Sequence, residues 1–202
     1  MSGLFVVFEG GDGAGKSTQA ARLADWLAGQ GQTVVRTFQP GGSALGRPLR
    51  QLLLDPANGP VDPLAEALLY AADKAQHVAE VVRPALREGH VVVSDRYVDS
   101  MIAYQGAGRR LDLAALTRLA WWSVGGLAPD LTVLLDAPVA DGLGAKADLD
   151  RLEQAGWDFH ERVRQGFLEL AAAHPERYLV LPARRLIEDL AAAVRERVRA
   201  LV

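Results

Sequence analysis

An apolar pentapeptide, Leu4-Phe5-Val6-Val7-Phe8, runs through Glu9 directly into Gly10-Gly11-Asp12-Gly13-Ala14-Gly15-Lys16-Ser17. This octapeptide satisfies G-x-x-x-x-G-K-S/T, a spacing that constrains the fold on both sides of it. The loop binds phosphate only when a buried strand delivers it and a helix begins at its end. The chain offers both. Leu4 to Phe8 reads as a strand covered on both faces. Lys16 to Ala28 reads as a helix with Leu23, Trp26 and Leu27 on one side, and Gly29 and Gly31 to end it. The glycines allow successive backbone N–H groups to turn inward around phosphate oxygens. The helix start adds the positive end of its dipole. Gly10, Gly11, Asp12, Gly13, Ala14, Gly15, Lys16, Ser17 and Thr18 are thus the expected seat of a nucleoside triphosphate. Lys16 is placed to reach its β- and γ-phosphates and Ser17 to offer a hydroxyl to Mg²⁺. The motif alone does not choose among ATPases, GTPases and kinases.

The remaining pattern alternates. Thr33 to Thr37, Val91 to Asp95, Leu131 to Asp136 and Tyr178 to Leu181 read as four more strands. Helices are predicted over 64–83 (ending before Pro84), 112–124, 149–173 and 186–201. Such β/α alternation predicts an α/β fold, a three-layer sandwich of the P-loop NTPase type: a five-stranded parallel sheet with helices on both faces. Ligands of such sheets sit beyond the carboxyl ends of the strands. Gly10 to Thr18, Gln39 to Gly42 and Asp95-Arg96 all follow strand ends, so they are expected to converge on one cleft. The 202 residues suit one kinase-sized domain, 1–202, with a short lid segment near 138–151.

Charge and composition exclude several alternatives. A net charge of −3 provides no broad basic field for nucleic acid. The absence of cysteine removes disulfides and thiolate metal sites, and fits a cytoplasmic protein. The four histidines lack metal-ligand spacing. No apolar run approaches the about 20 residues of a membrane span, and Leu4 to Phe8 has no basic leader before it.

Asp95-Arg96-Tyr97 follows the valine-rich strand. An acid at that strand end suits Mg²⁺, directly or through water. Arg96 presents a rigid fork to a second phosphate group. Phosphoryl transfer to a monophosphate needs no strong general base, because the acceptor's second pKa is ~6. The protein has only to align two anions and offset their repulsion.

With these residues in view, the chain resembles the thymidylate kinase family over nearly its whole length. Phe8 to Gln19 is similar to that family's phosphate loop, Asp12 being its most specific member. Pro40-Gly41-Gly42 with Leu45-Gly46 and Arg50, the stretch Leu68 to His77, and Asp95-Arg96-Tyr97 with Ser100 and Ala103-Tyr104-Gln105-Gly106 follow in the family's order. So do Asp150-Arg151-Leu152-Glu153 and Phe159 to Phe167. The resemblance implies ATP and dTMP as substrates, Mg²⁺ as cofactor, and a homodimer, with the apolar helix 111–124 as its interface. It implies that Asp12 meets the deoxyribose 3′-hydroxyl and that Tyr70 stacks on the base where a Phe is usual. Ser100 and Gln105 would order the base pocket, Tyr104 would disfavour a 2′-hydroxyl, and Arg96 would hold the acceptor phosphate with Arg50 nearby. The bond matching Gln39-Pro40 is often cis in that family, and the sequence leaves its isomer open.

Three departures each remove an arginine. The usual Arg-Glu-Pro-Gly-Gly reads Phe38-Gln39-Pro40-Gly41-Gly42. Lys74 stands for the arginine that contacts the thymine carbonyl. The lid reads Gly142-Leu143-Gly144-Ala145-Lys146-Ala147-Asp148-Leu149-Asp150, without arginine. An arginine on the transferring phosphoryl is worth ~10³–10⁵ in rate. Arg151 helped by Lys146 is the expected replacement, with Arg47 or another distant arginine as alternatives. Two other functions stay open on this ground: a kinase for a different pyrimidine monophosphate, or a nucleotide-binding paralogue weakened in catalysis.

Overall fold

The structure, a computed structural model, describes residues 3–142 and 150–201. Five strands form one parallel sheet in the order β2-β3-β1-β4-β5: β1 (Phe5–Gly10), β2 (Val34–Phe38), β3 (Val91–Asp95), β4 (Leu131–Asp136) and β5 (Tyr178–Pro182). The central β1 pairs with β3 and β4. Its side chains alternate between two cores, as the period of two in a strand requires. Val6 and Phe8 pack with Leu23 and Leu27 of α1 (Lys16–Gly29) and with Leu190 and Val194 of α9 (Ile187–Arg199). Phe5 and Val7 face the larger core, which includes Val163 and Phe167 of α8 (Trp157–Ala173). Each such leucine or phenylalanine contributes about 1.5–3 kcal/mol on burial. The expected five-stranded parallel sheet, covered on both faces, is the fold observed.

The differences lie in the helices. Gly46–Leu54 forms α2, which the sequence reading left without structure. The helix expected over 64–83 begins as α3 (Pro63–His77), capped by the Asp62 carboxylate on the Leu64 and Ala65 N–H groups. It then widens into a π turn, Val78–Val82, and continues as α4 (Arg83–Arg87). Pro84 therefore does not end it. A proline ring clashes with the carbonyl four residues back in a regular helix, and the preceding π turn alters that register. After β3, Val98–Met101 is α5, and a second π segment spans Ile102–Gly108 before α6 (Leu113–Ser123). Val139–Gly142 forms the short α7. The helix expected over 149–173 starts only at Trp157, because Gly156 at φ 85° breaks the chain direction.

Candidate active site

The phosphate loop joins β1 to α1 at the carboxyl edge of the sheet. A side chain at Gly10 would place its Cβ 2.3 Å from the Leu135 carbonyl oxygen, and φ is 137°, so only glycine fits. Lys16 is buried and donates to the Gly11 carbonyl at 2.6 Å. Burial, reinforced by Arg96, lowers its pKa to about 8 against the pull of Asp12, Asp95 and Glu9. Ser17 donates to the Asp95 Oδ2 at 2.5 Å. A hydroxyl and a carboxylate oxygen side by side are the hard donors Mg²⁺ selects, with phosphate and water to complete its shell. The Lys16 value has a consequence for binding. With ATP fully ionised, affinity should fall about tenfold between pH 7 and pH 9, as the free-state ammonium is lost. Calorimetric titration at the two pH values checks this; equal affinities would mean either that Lys16 stays charged through pH 9 or that it holds no phosphate.

Arg96 is the centre of the second half of the site. It follows β3 at φ 70°, a left-handed conformation uncommon outside glycine. That turn aims its fork back across the sheet edge. Nη1 donates to the Gly10 carbonyl and Ser100 hydroxyl, both at 3.1 Å; Nη2 donates to Asp12 Oδ1 at 2.6 Å and to the Tyr104 hydroxyl at 3.2 Å. The guanidinium also lies over the Tyr104 ring, 5.1 Å from its centroid. Tyr104 donates to Asp12 Oδ2 at 2.9 Å. Burial alone would raise the Asp12 pKa; Arg96, then Lys16 and the Tyr104 hydroxyl, outweigh it and hold it at about 2. Beneath them Glu9, wholly buried, accepts from the Tyr97 and Ser100 N–H groups and from the Ser100 hydroxyl at 2.6 Å. Its pKa is raised by burial and by Asp99.

A cleft of about 510 Å³ opens beside this cluster. All eight residues assigned to the acceptor from sequence line it: Asp12, Arg50, Tyr70, Lys74, Arg96, Ser100, Tyr104 and Gln105. Tyr70 is buried, and burial, with Glu66, raises its hydroxyl pKa. Lys74 is held as a strut. Its ammonium donates to Gln39 Oε1 at 2.9 Å and to the Tyr97 carbonyl at 2.7 Å. Burial lowers its pKa to about 8. Because Gln39 Oε1 receives Lys74, its amide nitrogen faces His77 Nδ1, 2.8 Å away. His77 must then carry its proton on Nε2, toward the Thr37 hydroxyl at 2.6 Å. Burial and Lys74 lower the His77 pKa to about 4, which keeps it neutral. Asp73 adds a hydrogen bond from the Gly41 N–H at 2.9 Å. Successive turns of α3 thus hold the segment 37–42, in which the Gln39-Pro40 bond is cis.

Arg151 is placed elsewhere. Its Nε donates to the Leu53 carbonyl at 2.8 Å, and Nη2 forms an ion pair with Glu66 Oε2 at 2.5 Å without an aligned hydrogen bond. Glu66 is wholly buried and also accepts from Gln105 at 2.9 Å and from Arg109 Nε and Nη2 at 3.1 Å. Arg151 lies on neither phosphate-facing cleft, whereas its neighbours Asp150 and Leu152 line the acceptor cleft. Lys146 lies outside the described residues, as does half of the expected lid, 143–149. Gln39 lines the cleft with Asp12 and Arg96, as expected of the cluster 39–42, whereas Glu9, Glu66 and His77 had no assigned part in the site. Acids at fully buried helix and strand positions were the available signal.

The G-x-x-x-x-G-K-S loop and a cleft lined by Arg50 and Arg96 share one sheet edge, an arrangement that suits a P-loop nucleotide kinase. A sequence model of the family described as "Thymidylate kinase" matches residues 8–194. Thymidylate kinase of Cutibacterium acnes is 60% identical over 202 residues, covering 100% of this chain and 99% of that protein. That of Desulforudis audaxviator is 52% identical over 206 residues, covering 100% and 93%. A crystal structure of thymidylate kinase from Ehrlichia chaffeensis, 30% identical, covers 98% of this chain and 100% of its own, with a TM-score of 0.82. The chain belongs to the thymidylate kinase family.

Proposed function

We propose that this kinase transfers the γ-phosphoryl group of ATP to dTMP, giving dTDP and ADP, in the supply of dTTP for DNA replication. An oxygen of the dTMP phosphate forms the new bond to the γ-phosphorus as the bond to the β-phosphate bridge breaks. The observation that carries the reading is the position of Arg96. Its fork touches the phosphate loop at Gly10 and the acceptor cleft at Asp12, Ser100 and Tyr104. One rigid cation therefore spans the two anions that must meet. Lys16 grips the triphosphate, and Ser17 with Asp95 would hold Mg²⁺, which supplies charge neutralisation on the phosphates. Tyr70 bounds the base, and Asp12 with Tyr104 bounds the sugar. Arg151 enters this proposal as a positioning residue, since its guanidinium is engaged by Glu66 beneath the cleft.

The proposal takes 1–202 as one domain in the cytoplasm. No helix among the described residues is long and apolar enough to cross a membrane. It also takes the protein as a homodimer, joined by exposed apolar side chains of α3 and α6, among them Leu64, Leu68, Leu113 and Trp122. Sedimentation as a monomer at micromolar concentration would remove that part.

The test is ADP release with Mg²⁺-ATP and a panel of acceptors: dTMP, dUMP, UMP, dCMP, dGMP and none. Turnover with dTMP well above the rest is expected. A different preferred pyrimidine would support the second reading, which Tyr70 and Lys74 motivate because both line the cleft where the base would sit. Folded protein that binds ATP and turns over no acceptor would overturn both.

A further inference from the structure

The phosphate-facing cations among the described residues differ in one respect. Lys16 donates to Gly11, and Arg96 is fully engaged around Asp12. Arg50 donates to the Pro40 carbonyl at 2.9 Å and lies over the Phe38 ring. Arg36 is exposed and makes no hydrogen bond or ion pair with any described residue, yet it lines the same cleft as Ser17, Asp95 and Arg96.

Its direction follows from the strand. Val34, Arg36 and Phe38 share one face of β2, by the alternation of side chains along a strand. Val34 packs into the core that α1 covers. Arg36 is two residues further toward the carboxyl edge and pairs with Val93, while Phe38 pairs with Asp95. Two strand residues span ~6.6 Å, so the Arg36 backbone lies one pleat behind the acid that closes the metal-side corner. An arginine there looks toward the groove between β2 and the first turn of α1. Asp12, Gln39, Arg50 and Arg96 line both that groove and the acceptor cleft, so a phosphate on the acceptor would stand where the two meet, within reach of Arg36.

We propose that Arg36 is a phosphate-binding residue for the acceptor monophosphate. The inference rests on the function proposed above and deepens it. An acceptor dianion must approach a bound triphosphate, and each cation nearer the reaction is already shared with a protein acceptor. A guanidinium without a protein partner keeps its donors for the incoming oxygens and loses no hydrogen bond on binding them. An edge-strand charge can also serve only to keep the sheet edge from pairing with other chains. That role makes no distinction between a nucleotide and its nucleoside, and the experiment turns on that distinction.

The experiment compares wild type with Arg36→Ala and Arg36→Lys. It measures KM for dTMP at saturating Mg²⁺-ATP, and the inhibition constant of thymidine, which lacks the phosphate. Arg36→Ala should raise KM for dTMP about tenfold, the scale of one charge-assisted hydrogen bond. The thymidine constant should stay within about twofold, and Arg36→Lys should restore part of the loss. An unchanged KM in Arg36→Ala overturns the inference, and so does an equal loss for thymidine, which would mark a general effect on the fold. Failure of the function reading is distinct: wild type would then not turn over dTMP, and the monophosphate the panel identifies, with its nucleoside, replaces the pair.

Discussion

Replacing Arg96 with alanine is expected to lower kcat/KM for dTMP by about a thousandfold, the lower end of what a phosphoryl-contacting arginine supplies. The guanidinium makes four hydrogen bonds in two directions, to Gly10 and Ser100 from one nitrogen and to Asp12 and Tyr104 from the other. Its loss removes the cation between the two substrates and releases the group that holds Asp12. With burial unopposed by Arg96, the Asp12 pKa should rise from about 2. Tyr104 would then lose its fixed partner geometry as well. Arg96→Lys should recover little, because one point charge cannot fill a fork that meets four acceptors on diverging lines. Steady-state kinetics, with a melting curve to show that each variant is folded, checks the result. A loss below tenfold in a folded Arg96→Ala protein would mean that the residue is only a structural clamp between β1 and β3.

Much of this site was legible because its chemistry is local in sequence. The phosphate loop, the Asp95-Arg96 pair and the Ser100–Gln105 cluster each occupy a few consecutive residues. The sheet was legible for a similar reason: β1 and β3 open on uninterrupted apolar runs, Phe5 to Phe8 and Val91 to Val93. What failed to show depended on distant partners or on chain ends. α2 was missed because Gly41-Gly42, Gly46 and Pro48 look like a loop. Pro48 sits in the first turn of α2, where the missing N–H would have had no helical acceptor. Lys74 looked like a weakened base reader. Its strut role appears only when Gln39, 35 residues earlier, is seen to accept its hydrogen bond. Gln39, beside the arginine lost at position 38, and Lys74 are thus partners in one network that also fixes the His77 tautomer. Arg151 is the strongest case. In the sequence it is the arginine nearest the lid, whereas in the fold it is drawn under the acceptor cleft by an acid on α3.

That acid carries the second large expectation. Glu66→Ala should destabilise the protein by about 3–5 kcal/mol, the range for removing one partner from a buried ion pair. At about 2–4 °C per kcal/mol for a chain of this size, the melting temperature should fall by roughly 10 °C. Two guanidiniums, Arg109 and Arg151, would face each other with side chains only 23% and 10% exposed and no carboxylate between them. Arg109 keeps its place over the Phe159 ring, 4.8 Å from the centroid, and Arg151 keeps the Leu53 carbonyl, so the damage centres on the cleft floor. Burial works to raise the Glu66 pKa, but hydrogen bonds from Arg109 and Gln105 and the charges of both arginines hold it below the ordinary value. Its stabilisation is therefore complete above the unfolded pKa of about 4.3 and is lost as acid protonates it. Arg151→Ala should cost less, about 1–3 kcal/mol, because Glu66 retains Arg109 and Gln105. The same cluster ties together Leu54, Gln105 and Leu152, which wall the acceptor cleft. Arg151→Ala should accordingly raise KM for dTMP more than it lowers kcat. An Arg151→Ala protein with wild-type melting and a kcat reduced by a thousandfold would instead put that guanidinium on the transferring phosphoryl during turnover, released from Glu66 when substrates bind.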